Sequence, residues 1–357
     1  MTLILGIETS CDETAAAVVE DGRAVLCNVI ASQHELHERY GGVVPEIASR
    51  AHIERISPVI DQALQQANAT FDDIDAIAVG NRPGLIGSLL VGVSAAKAIA
   101  WSTGKPLIAV DHVRAHLYAG ALCQSPIPNP QPPVPAYPSL GLVVSGGHTS
   151  LYELQSPIEM RLLGRTIDDA VGEAYDKAAV ILDIGYPGGP LLDKRAQKGN
   201  PKAHQLPRSM LGKESLDFSF SGLKTALLYA VRGKPKGRGA ERYFERSADD
   251  LTDEEKTDFC ASFQAAAIET LIKKLDRAID AMSPKPKTLL IGGGVSANSL
   301  LRTRVVELGE ERNVDVFVPA MPYCLDNAAM IAGLAFKHLE KNEFAELDLA
   351  AIATTSV

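Results

Sequence analysis

One pattern occurs twice in this chain: a strand, a polar turn and a second strand, followed later by a strand, glycines and a helix. In the first half, residues 2–7 and 15–20 form the strand pair, and residues 74–79 precede the glycines. The second half has residues 140–144, 150–154 and 288–291 in the corresponding places. Such a duplication predicts the α/β fold class, with a nucleotide cleft between two duplicated halves, because ligands bind where parallel strands end.

The length of 357 residues suits about two domains. The first half is predicted to span residues 1–111 and to be completed by a terminal helix at 326–345. The second half is predicted to span residues 112–325 and to contain helical and basic insertions. The proline-rich stretch at 123–138 is predicted to be a surface linker, because proline disfavours regular structure.

A histidine pair opens the helix that is predicted to follow the strand before Asp111. His112 and His116 are four positions apart, so both imidazoles leave one face of this helix. They can bind one metal ion, and the alternative is two histidines on a helix surface. Zincin peptidases have a glutamate where this chain has Val113, so the spacing alone does not predict a peptidase. Asp326 stands at a second helix start, where it caps backbone amides or binds a metal.

Three other polar segments are candidate ligand contacts. Asp12 and Glu13 lie in the first polar turn, where they hold a cation or face solvent. The glycine loop at 80–87 opens a helix, and the amides at a helix N-terminus favour an anion. His34 and His37 are a candidate second metal pair, although a loop that closes over a site is the preferred interpretation.

Charge is unevenly distributed along the chain. The net charge is −9, yet residues 193–246 contain 13 Lys/Arg against 5 Asp/Glu, a balance of +8, which leaves −17 for the remainder. A local reversal of this kind suits an anionic polymer that docks on one face. The alternative is a solvated, flexible insertion.

The cysteine pattern and the N-terminal segment predict a cytoplasmic protein. Five cysteines form no C-x-x-C pair, which favours free thiols in a reducing compartment. Residues 1–7 have no basic n-region, so no signal peptide is predicted. The apolar stretch at 85–101 carries Lys97 and small residues, so we predict a core helix and no membrane partner.

Five motifs are more specific than these patterns. They are residues 6–14 (GIETSCDET), 40–50 (YGGVVPEIASR), 144–149 (VSGGHT), 218–225 (FSFSGLKT) and 292–298 (GGGVSAN). Together they resemble the tRNA adenosine threonylcarbamoyltransferase family over residues 4–335. The resemblance implies the fold of the sugar kinase, Hsp70 and actin superfamily, in agreement with the duplication. Two loops, 123–138 and 238–255, are longer than the family pattern leads us to expect.

The resemblance also implies site residues. A metal would be held by His112, His116 and Asp326, and Asp12 and Glu13 match the acidic turn at the mouth of the active site. The implied substrate contacts are Val143, Val144, Ser145, Gly146, Gly147, Asp176, Gly189, Asp193 and Asn298.

The activity implied by the resemblance is transfer of a threonylcarbamoyl group from threonylcarbamoyl-AMP. The acceptor is the exocyclic amine of the adenosine beside the anticodon, in tRNAs that read codons starting with A. Bacterial members work with a catalytically inactive paralogue and a small ATPase, so both are predicted partners.

The residue types fit this chemistry. Two histidines and one carboxylate suit Fe(II), and Zn²⁺ would also accept them. Ser145, Gly146 and Gly147 let backbone amides approach phosphate or carbamoyl oxygens, and Asn298 with the glycines before it is predicted to hold the AMP part. Asp12 is the candidate base for the attacking amine.

Two further functions compete with this prediction, besides the peptidase. An ATP-driven kinase or chaperone of the same fold needs no histidine pair and turns over nucleotide without tRNA. A non-enzymatic scaffold, like the inactive paralogue, is expected to lack the metal ligands that this chain has.

Overall fold

Two mixed β-sheets organise the chain in the computed structural model, which describes residues 1–38, 40, 42–126, 133–237 and 243–354. The first sheet contains β1 (Leu3–Glu8), β2 (Glu13–Glu20), β3 (Ala24–Ser32), β4 (Ala76–Arg82), β5 (Leu107–Asp111) and β6 (Cys123–Gln124). The second sheet contains β7 (Ser139–Val144), β8 (Thr149–Ser156), β9 (Glu159–Arg165), β10 (Thr288–Gly292) and β11 (Asp315–Phe317).

The two sheets repeat one topology. The first has the order β5-β4-β1-β2-β3-β6 and the second the order β11-β10-β7-β8-β9. In both, the first three strands in sequence form an antiparallel meander. The fourth strand pairs parallel to the first strand of that meander, and the fifth strand pairs parallel to the fourth. The shared order confirms the predicted duplication and the α/β class, because two independent sheets would not be expected to share order and strand direction.

Helices cover the two sheets, and among them are the predicted helices after Asp111 and at 85–101. They are α1 (His34–Glu38), α2 (Pro45–Ala67), α3 (Ile86–Thr103), α4 (His112–Tyr118), α5 (Val171–Leu182), α6 (Gly188–Ala196), α7 (Ser221–Arg232), α8 (Asp253–Ala281), α9 (Ser299–Arg312) and α10 (Ala328–Glu340). The longest, α8, begins at a capping box in which Thr252 and Glu255 satisfy each other's backbone amides, and it buries one face in the core of the second sheet.

The short helix α4 lies between the two sheets. Val113 and Leu117 pack with Val143 and Leu290 of the second sheet. On another face of the helix, Tyr118 belongs to the core of the first sheet, together with residues of the terminal helix α10. A side chain on α4 is therefore held by the cores of both halves.

The terminal helix α10 packs against the first sheet, chiefly on β1 and β2, through small side chains from Ala328 to Ala335. This is the packing that the assignment of residues 326–345 to the first half requires. The limits of the two halves themselves stay a prediction.

Part of the predicted linker at 123–138 is a strand, because β6 pairs with β3 before the first proline of the stretch at Pro126. The rest of the linker includes residues 127–132, which lie outside the described residues. Residues 238–242 of the predicted long loop at 238–255 lie outside them too.

Within the described ranges, α3 is the one helix that is long and apolar enough to cross a membrane by length and composition alone. A single helix of this kind is weak support for a span, since helices in protein cores pass the same test. In this fold α3 packs against β4 and α2 along one side, and Ile86, Leu90 and Trp101 are exposed on another.

Candidate metal centre and cleft

A cavity of about 930 Å³ opens between the two halves, where β1 and β7 end. The first half contributes the turn after β1, including Asp12 and Glu13, and the loop that precedes α3. The second half contributes the turn 145–148 and side chains of α5 and α7. We call this space the cleft cavity. Its volume is within the range of small-molecule and cofactor sites in proteins.

The histidine helix α4 starts at the wall of the cleft cavity because Asp111 caps it. The Asp111 carboxylate accepts hydrogen bonds from the backbone amides of Val113 at 3.0 Å and Arg114 at 3.2 Å. His112 and His116 then lie one turn apart on the same helix face. The predicted helix start and the predicted common face of the two histidines are both confirmed.

Three ligand atoms converge at this point. His112 Nε2 lies 3.0 Å from His116 Nε2, and Asp326 Oδ1 lies 3.4 Å from His112 Nε2 and 3.1 Å from His116 Nε2. Two atoms bound at about 2.1 Å to one metal ion are about 3.0 Å apart at a right angle and about 3.4 Å apart at a tetrahedral angle. The three residues therefore fit a divalent metal ion.

For two of these ligands, Asp326 and His116, the surroundings favour the form that binds a metal, which is a carboxylate or a neutral imidazole. Although burial favours the neutral acid, His112 and His116 hold the pKa of Asp326 well below its usual value. Burial, reinforced by His112, lowers the pKa of His116. For His112, burial is outweighed by the carboxylates of Glu8 and Asp326, which raise its pKa well above the usual value. A bound cation would replace the proton that His112 carries in the metal-free protein.

The acidic turn after β1 contains two carboxyls with different roles. Burial, followed by the charges of Asp326 and Asp12, raises the pKa of Glu13 to about 9, so this carboxyl is protonated at neutral pH. Glu13 shares a hydrogen bond with Asp12 and another with Ser32, at 3.3 Å. Of the two predicted catalytic carboxyls, Glu13 is therefore poorly suited to accept a proton at neutral pH.

The turn 145–148 presents backbone to the cleft cavity. It closes on itself, since the Ser145 amide donates to the His148 carbonyl at 2.8 Å and the His148 amide donates to Ser145 Oγ at 3.1 Å. Gly146 and Gly147 are exposed, and a Cβ on either would meet no heavy atom within 4 Å. The turn thus leaves room for a ligand to approach its main chain.

The remaining predicted substrate contacts differ in where they lie relative to the cleft cavity. Asp176 borders the cleft cavity, where its carboxylate accepts a hydrogen bond from the Gly188 amide at 3.0 Å and a further one from Gly189, at the start of α6. Val143 and Val144 are buried in β7 and are not among the residues that line the cleft cavity.

Asp193 and Asn298 contact each other behind the cleft cavity. Asp193 Oδ1 accepts hydrogen bonds from Gln264 Nε2 at 2.9 Å, from Ser299 Oγ at 2.7 Å and from Asn298 Nδ2 at 3.3 Å. The side-chain oxygen Oδ1 of Asn298 caps α9 by accepting from the Leu301 amide. In this structure both side chains therefore hold α6, α8 and α9 together.

Two glycine loops border the cleft cavity and also pack closely against neighbouring backbone. In the loop at 80–87, the Gly84 amide donates to the Ala353 carbonyl at 3.3 Å and the Leu85 amide to the Ser10 carbonyl at 2.8 Å, so these amides are not free for an anion. In the loop at 292–298, a Cβ on Gly292 would overlap the carbonyl oxygen of His116. The glycine there lets β10 approach the metal helix, and the loop lies beside the turn 145–148 because β7 and β10 are neighbours.

The last residues of the described chain form a strap over the first of these loops. Besides the Gly84 contact, the Ile352 amide donates to the Asn81 carbonyl at 2.9 Å, and the Ala345 amide donates to the Leu107 carbonyl at 2.8 Å. Residues 341–354 therefore run along the first sheet from the end of α10 to the wall of the cleft cavity.

The candidate second metal pair is not brought together. His37 is buried, with Nε2 3.3 Å from Gln33 Oε1 and Nδ1 accepting from the Val44 amide at 3.3 Å, so both ring nitrogens are engaged. His34 instead stacks on Tyr186 across the cleft, with ring centroids 5.1 Å apart. This contact is consistent with the preferred interpretation of a segment that closes over the site.

Sequence reasoning missed several residues of the cleft cavity. His148 borders it, and burial, followed by His112 and His116, lowers its pKa to about 4, so the imidazole is neutral. Lys177 and Lys224 also border it, and both donate to Asp169 at 2.7 Å. His148 and Lys224 stand inside two of the five motifs, which was the one available indication.

Comparisons with known proteins agree with one another. A family model described as tRNA N6-adenosine threonylcarbamoyltransferase matches residues 24–333. The protein of that name from Moorella thermoacetica is 47% identical over 352 residues, covering 98% of this chain and 96% of its own length. Its counterpart from Rhodopirellula baltica is 48% identical over 354 residues, with coverages of 97% and 95%. The solved structure of HypF from T. kodakarensis shares the fold alone, with a TM-score of 0.59 and 15% identity over 95% of this chain and 48% of HypF.

Proposed function

Because this chain belongs to the tRNA N6-adenosine threonylcarbamoyltransferase family, we propose that it transfers a threonylcarbamoyl group from threonylcarbamoyl-AMP to a tRNA adenosine. The acceptor is the N6 amine of the adenosine beside the anticodon in tRNAs that read codons starting with A. The observation that carries the proposal is the position of the metal ligands. His112 and Asp326 border the same cavity as the open turn 145–148, so a substrate carbonyl held by that turn lies beside the metal centre.

The metal is proposed to be Fe(II), bound by His112, His116 and Asp326. Two histidines and one carboxylate on one side of an ion leave other positions open, as in the non-haem Fe(II) enzymes, and Zn²⁺ accepts the same ligands. When bound, the ion supplies a Lewis acid that polarises a carbonyl or phosphate oxygen.

The protein's own residues position the reactants and move the proton. Amides of Gly146 and Gly147 hold the phosphate or carbamoyl oxygens of the adenylate, and residues near Asp176 hold its nucleoside. The N6 amine attacks the carbamoyl carbon. The bond between that carbon and the phosphate oxygen breaks, and AMP leaves with its electron pair. Asp12 takes the proton that the amine loses, and the protonated Glu13 donates a hydrogen bond beside it.

Partners are part of the proposal. An inactive paralogue and a small ATPase are proposed to assemble with the chain. The exposed stripe of Ile86, Leu90 and Trp101 on α3 supports a protein partner, since these side chains are 50%, 51% and 75% exposed and recur at helical spacing. The cytoplasm is the proposed compartment, in agreement with the free cysteines Cys11, Cys27, Cys123, Cys260 and Cys324.

Mass spectrometry of tRNA nucleosides tests the function. The chain is incubated with tRNA, threonylcarbamoyl-AMP, ATP, Fe(II) and the two partner proteins, and nucleosides are compared with and without this chain. Threonylcarbamoyladenosine is expected only when it is present, and His112→Ala is expected to abolish both the product and stoichiometric bound metal. Equal product without the chain, or equal metal by elemental analysis in the His112→Ala variant, contradicts the proposal.

A further inference from the structure

The end of β1 places a buried carboxylate directly behind the metal centre. Glu8 is the last residue of β1, and its side chain has no solvent-exposed surface. Strand β1 pairs with β2 on one side and β4 on the other, so the backbone that carries Glu8 is fixed within the sheet. A buried carboxylate is costly unless it is matched by donors or by positive charge, so its position calls for a partner.

The partners of Glu8 point to His112. Glu8 Oε2 lies 3.0 Å from His112 Nδ1, and Glu8 Oε1 accepts a hydrogen bond from the Ser10 amide at 2.5 Å. An ionised carboxylate only accepts hydrogen bonds, so it holds the proton of a neutral His112 on Nδ1. The lone pair is then on Nε2, the nitrogen that faces His116 and Asp326.

A glycine makes room for this carboxylate. A Cβ on Gly80, in β4, would lie 2.5 Å from Glu8 Oε2, which is closer than non-bonded atoms approach. His116, by contrast, has its Nδ1 buried without a hydrogen-bond partner among the described residues. One of the two metal histidines is thus oriented by a built carboxylate contact and the other is not.

We propose that Glu8 is a positioning residue for the metal centre: it fixes the His112 ring with Nε2 toward the ion. This inference rests on the proposed metal site and adds to it a residue that does not touch the ion. Carboxylates that hold metal-binding histidines change metal affinity by about 10–100-fold when they are removed.

Cobalt(II) binding by the full-length chain tests the role of Glu8. The dissociation constant is measured against a competing chelator, and the visible absorption of bound Co²⁺ reports the ligand geometry. Glu8→Ala is expected to weaken binding about 10–100-fold and to change the absorption bands. Glu8→Gln is expected to weaken Co²⁺ binding as much, because its amide NH₂ group can donate to Nδ1 of His112. That contact would place the ring proton on Nε2, the nitrogen that faces the metal.

Two further variants separate positioning from a general effect on folding. Gly80→Ala displaces the carboxylate without removing it, so it is expected to weaken Co²⁺ binding in the same direction. The hydroxyl Oγ of Ser10 lies 3.2 Å from His112 Nδ1. The Ser10→Ala variant, which lacks this hydroxyl, is expected to bind Co²⁺ with nearly the wild-type affinity. In a His112→Ala background, Glu8→Ala is expected to add no further loss, because Glu8 acts through that ring.

The outcomes distinguish this inference from the proposed metal site. If Glu8→Ala, Glu8→Gln and Gly80→Ala are folded and bind Co²⁺ with the wild-type affinity and spectrum, the role of Glu8 is wrong while the site stands. If His112→Ala binds Co²⁺ as the wild type does, the metal site itself is wrong and this inference fails with it. Should Glu8→Ala not fold, the Glu8→Gln and Gly80→Ala variants decide.

Discussion

At the scale of single residues, Gly146 offers the cleanest test of how the cleft cavity holds its ligand. A side chain at this position would meet no heavy atom of the protein within 4 Å, so Gly146→Val is expected to fold normally. The valine side chain then occupies the space through which a ligand reaches the backbone. The affinity for an AMP-containing analogue of the adenylate, measured by calorimetry, is expected to fall at least about tenfold, or about 1.4 kcal/mol.

A matched control is the same substitution at Gly222, where a Cβ also meets nothing within 4 Å. Gly222→Val is expected to leave the affinity for the analogue near that of the wild type. Unchanged affinity in Gly146→Val would show that the turn 145–148 does not hold the adenylate.

Some residues of the site could be predicted from the sequence and others could not. His112, His116 and the cap at Asp111 follow from spacing and helix-start preferences, which are local properties. Glu8 sits among apolar residues at the end of a strand, and nothing local says which ring it faces. Its role depends on a contact across 104 positions of the chain, and sequence spacing carries no information about such contacts.

At the scale of elements, helix α8 holds the loop around residues 210–215 through a buried lysine. Lys274 Nζ donates to the carbonyls of Met210 at 2.7 Å and Ser215 at 2.6 Å, and its side chain is inaccessible to solvent. Burial, followed by the charge of Arg277, lowers the pKa of Lys274 to about 8.

This buried lysine predicts a pH dependence of stability. The pKa of the same side chain is about 10.5 in the unfolded chain. Between pH 8 and 10.5 the unfolded chain therefore binds one more proton than the folded one. The free energy of unfolding then gains a contribution that rises with pH, by up to about 1.4 kcal/mol per unit.

Urea denaturation from pH 7.5 to 10 measures this contribution. The Lys274→Met variant is expected to lose the upward slope that the wild type has across the window. Its exposed neighbour offers the control, because Lys273→Met is expected to keep the wild-type slope. Parallel pH profiles for wild type and Lys274→Met would contradict the prediction.

Element types were more predictable than the roles of their loops. Strands and helices follow from periodicity, so the helix after Asp111 and the core helix at 85–101 were both expected near their observed bounds. The loops at 80–87 and 292–298 have the glycines of anion-binding loops, and in the structure Gly84 and Gly292 also allow close packing. A glycine permits both uses, and only the neighbouring backbone decides between them.

At the scale of the whole molecule, the distribution of charge remains the basis for predicting a tRNA surface. Several basic side chains of the segment 193–246 are paired with acids from outside it: Arg195 with Asp253, Arg208 with Glu269 and Lys224 with Asp169. Lys236 pairs with Glu245 within the segment. Pairing reduces the field that a docked polyanion would meet. The reversal experiment changes the end of the segment, where Lys236 has such a partner.

Reversing Arg232, Lys234, Lys236 and Arg238 to glutamate is expected to weaken tRNA binding by the assembled complex. Arg238 lies outside the described residues. Each phosphate contact that is lost is expected to flatten the slope of log affinity against log salt by about 0.7–0.9. Affinity for the adenylate is expected to be unchanged, because other loops form the cleft cavity.

Filter binding at several salt concentrations measures both quantities. A control with the same change in net charge reverses Lys105, Arg304, Lys337 and Lys341, which lie outside the segment. If the first set changes neither affinity nor slope, the segment is a solvated insertion and the tRNA surface lies elsewhere.

The strap formed by residues 341–354 has a consequence for how the protein is synthesised. Asp326 is 210 positions after His116, and the wall of the cleft cavity at Gly84 is held by Ala353. At about 5–20 residues per second, a ribosome needs roughly 20–70 s to make such a chain. For 210 of the 357 residues, about three fifths of that time, the nascent chain has both imidazoles but neither the carboxylate nor the strap. The complete ligand set therefore exists only after Asp326 has been made, so chains that stop before it are expected to lack stoichiometric bound metal.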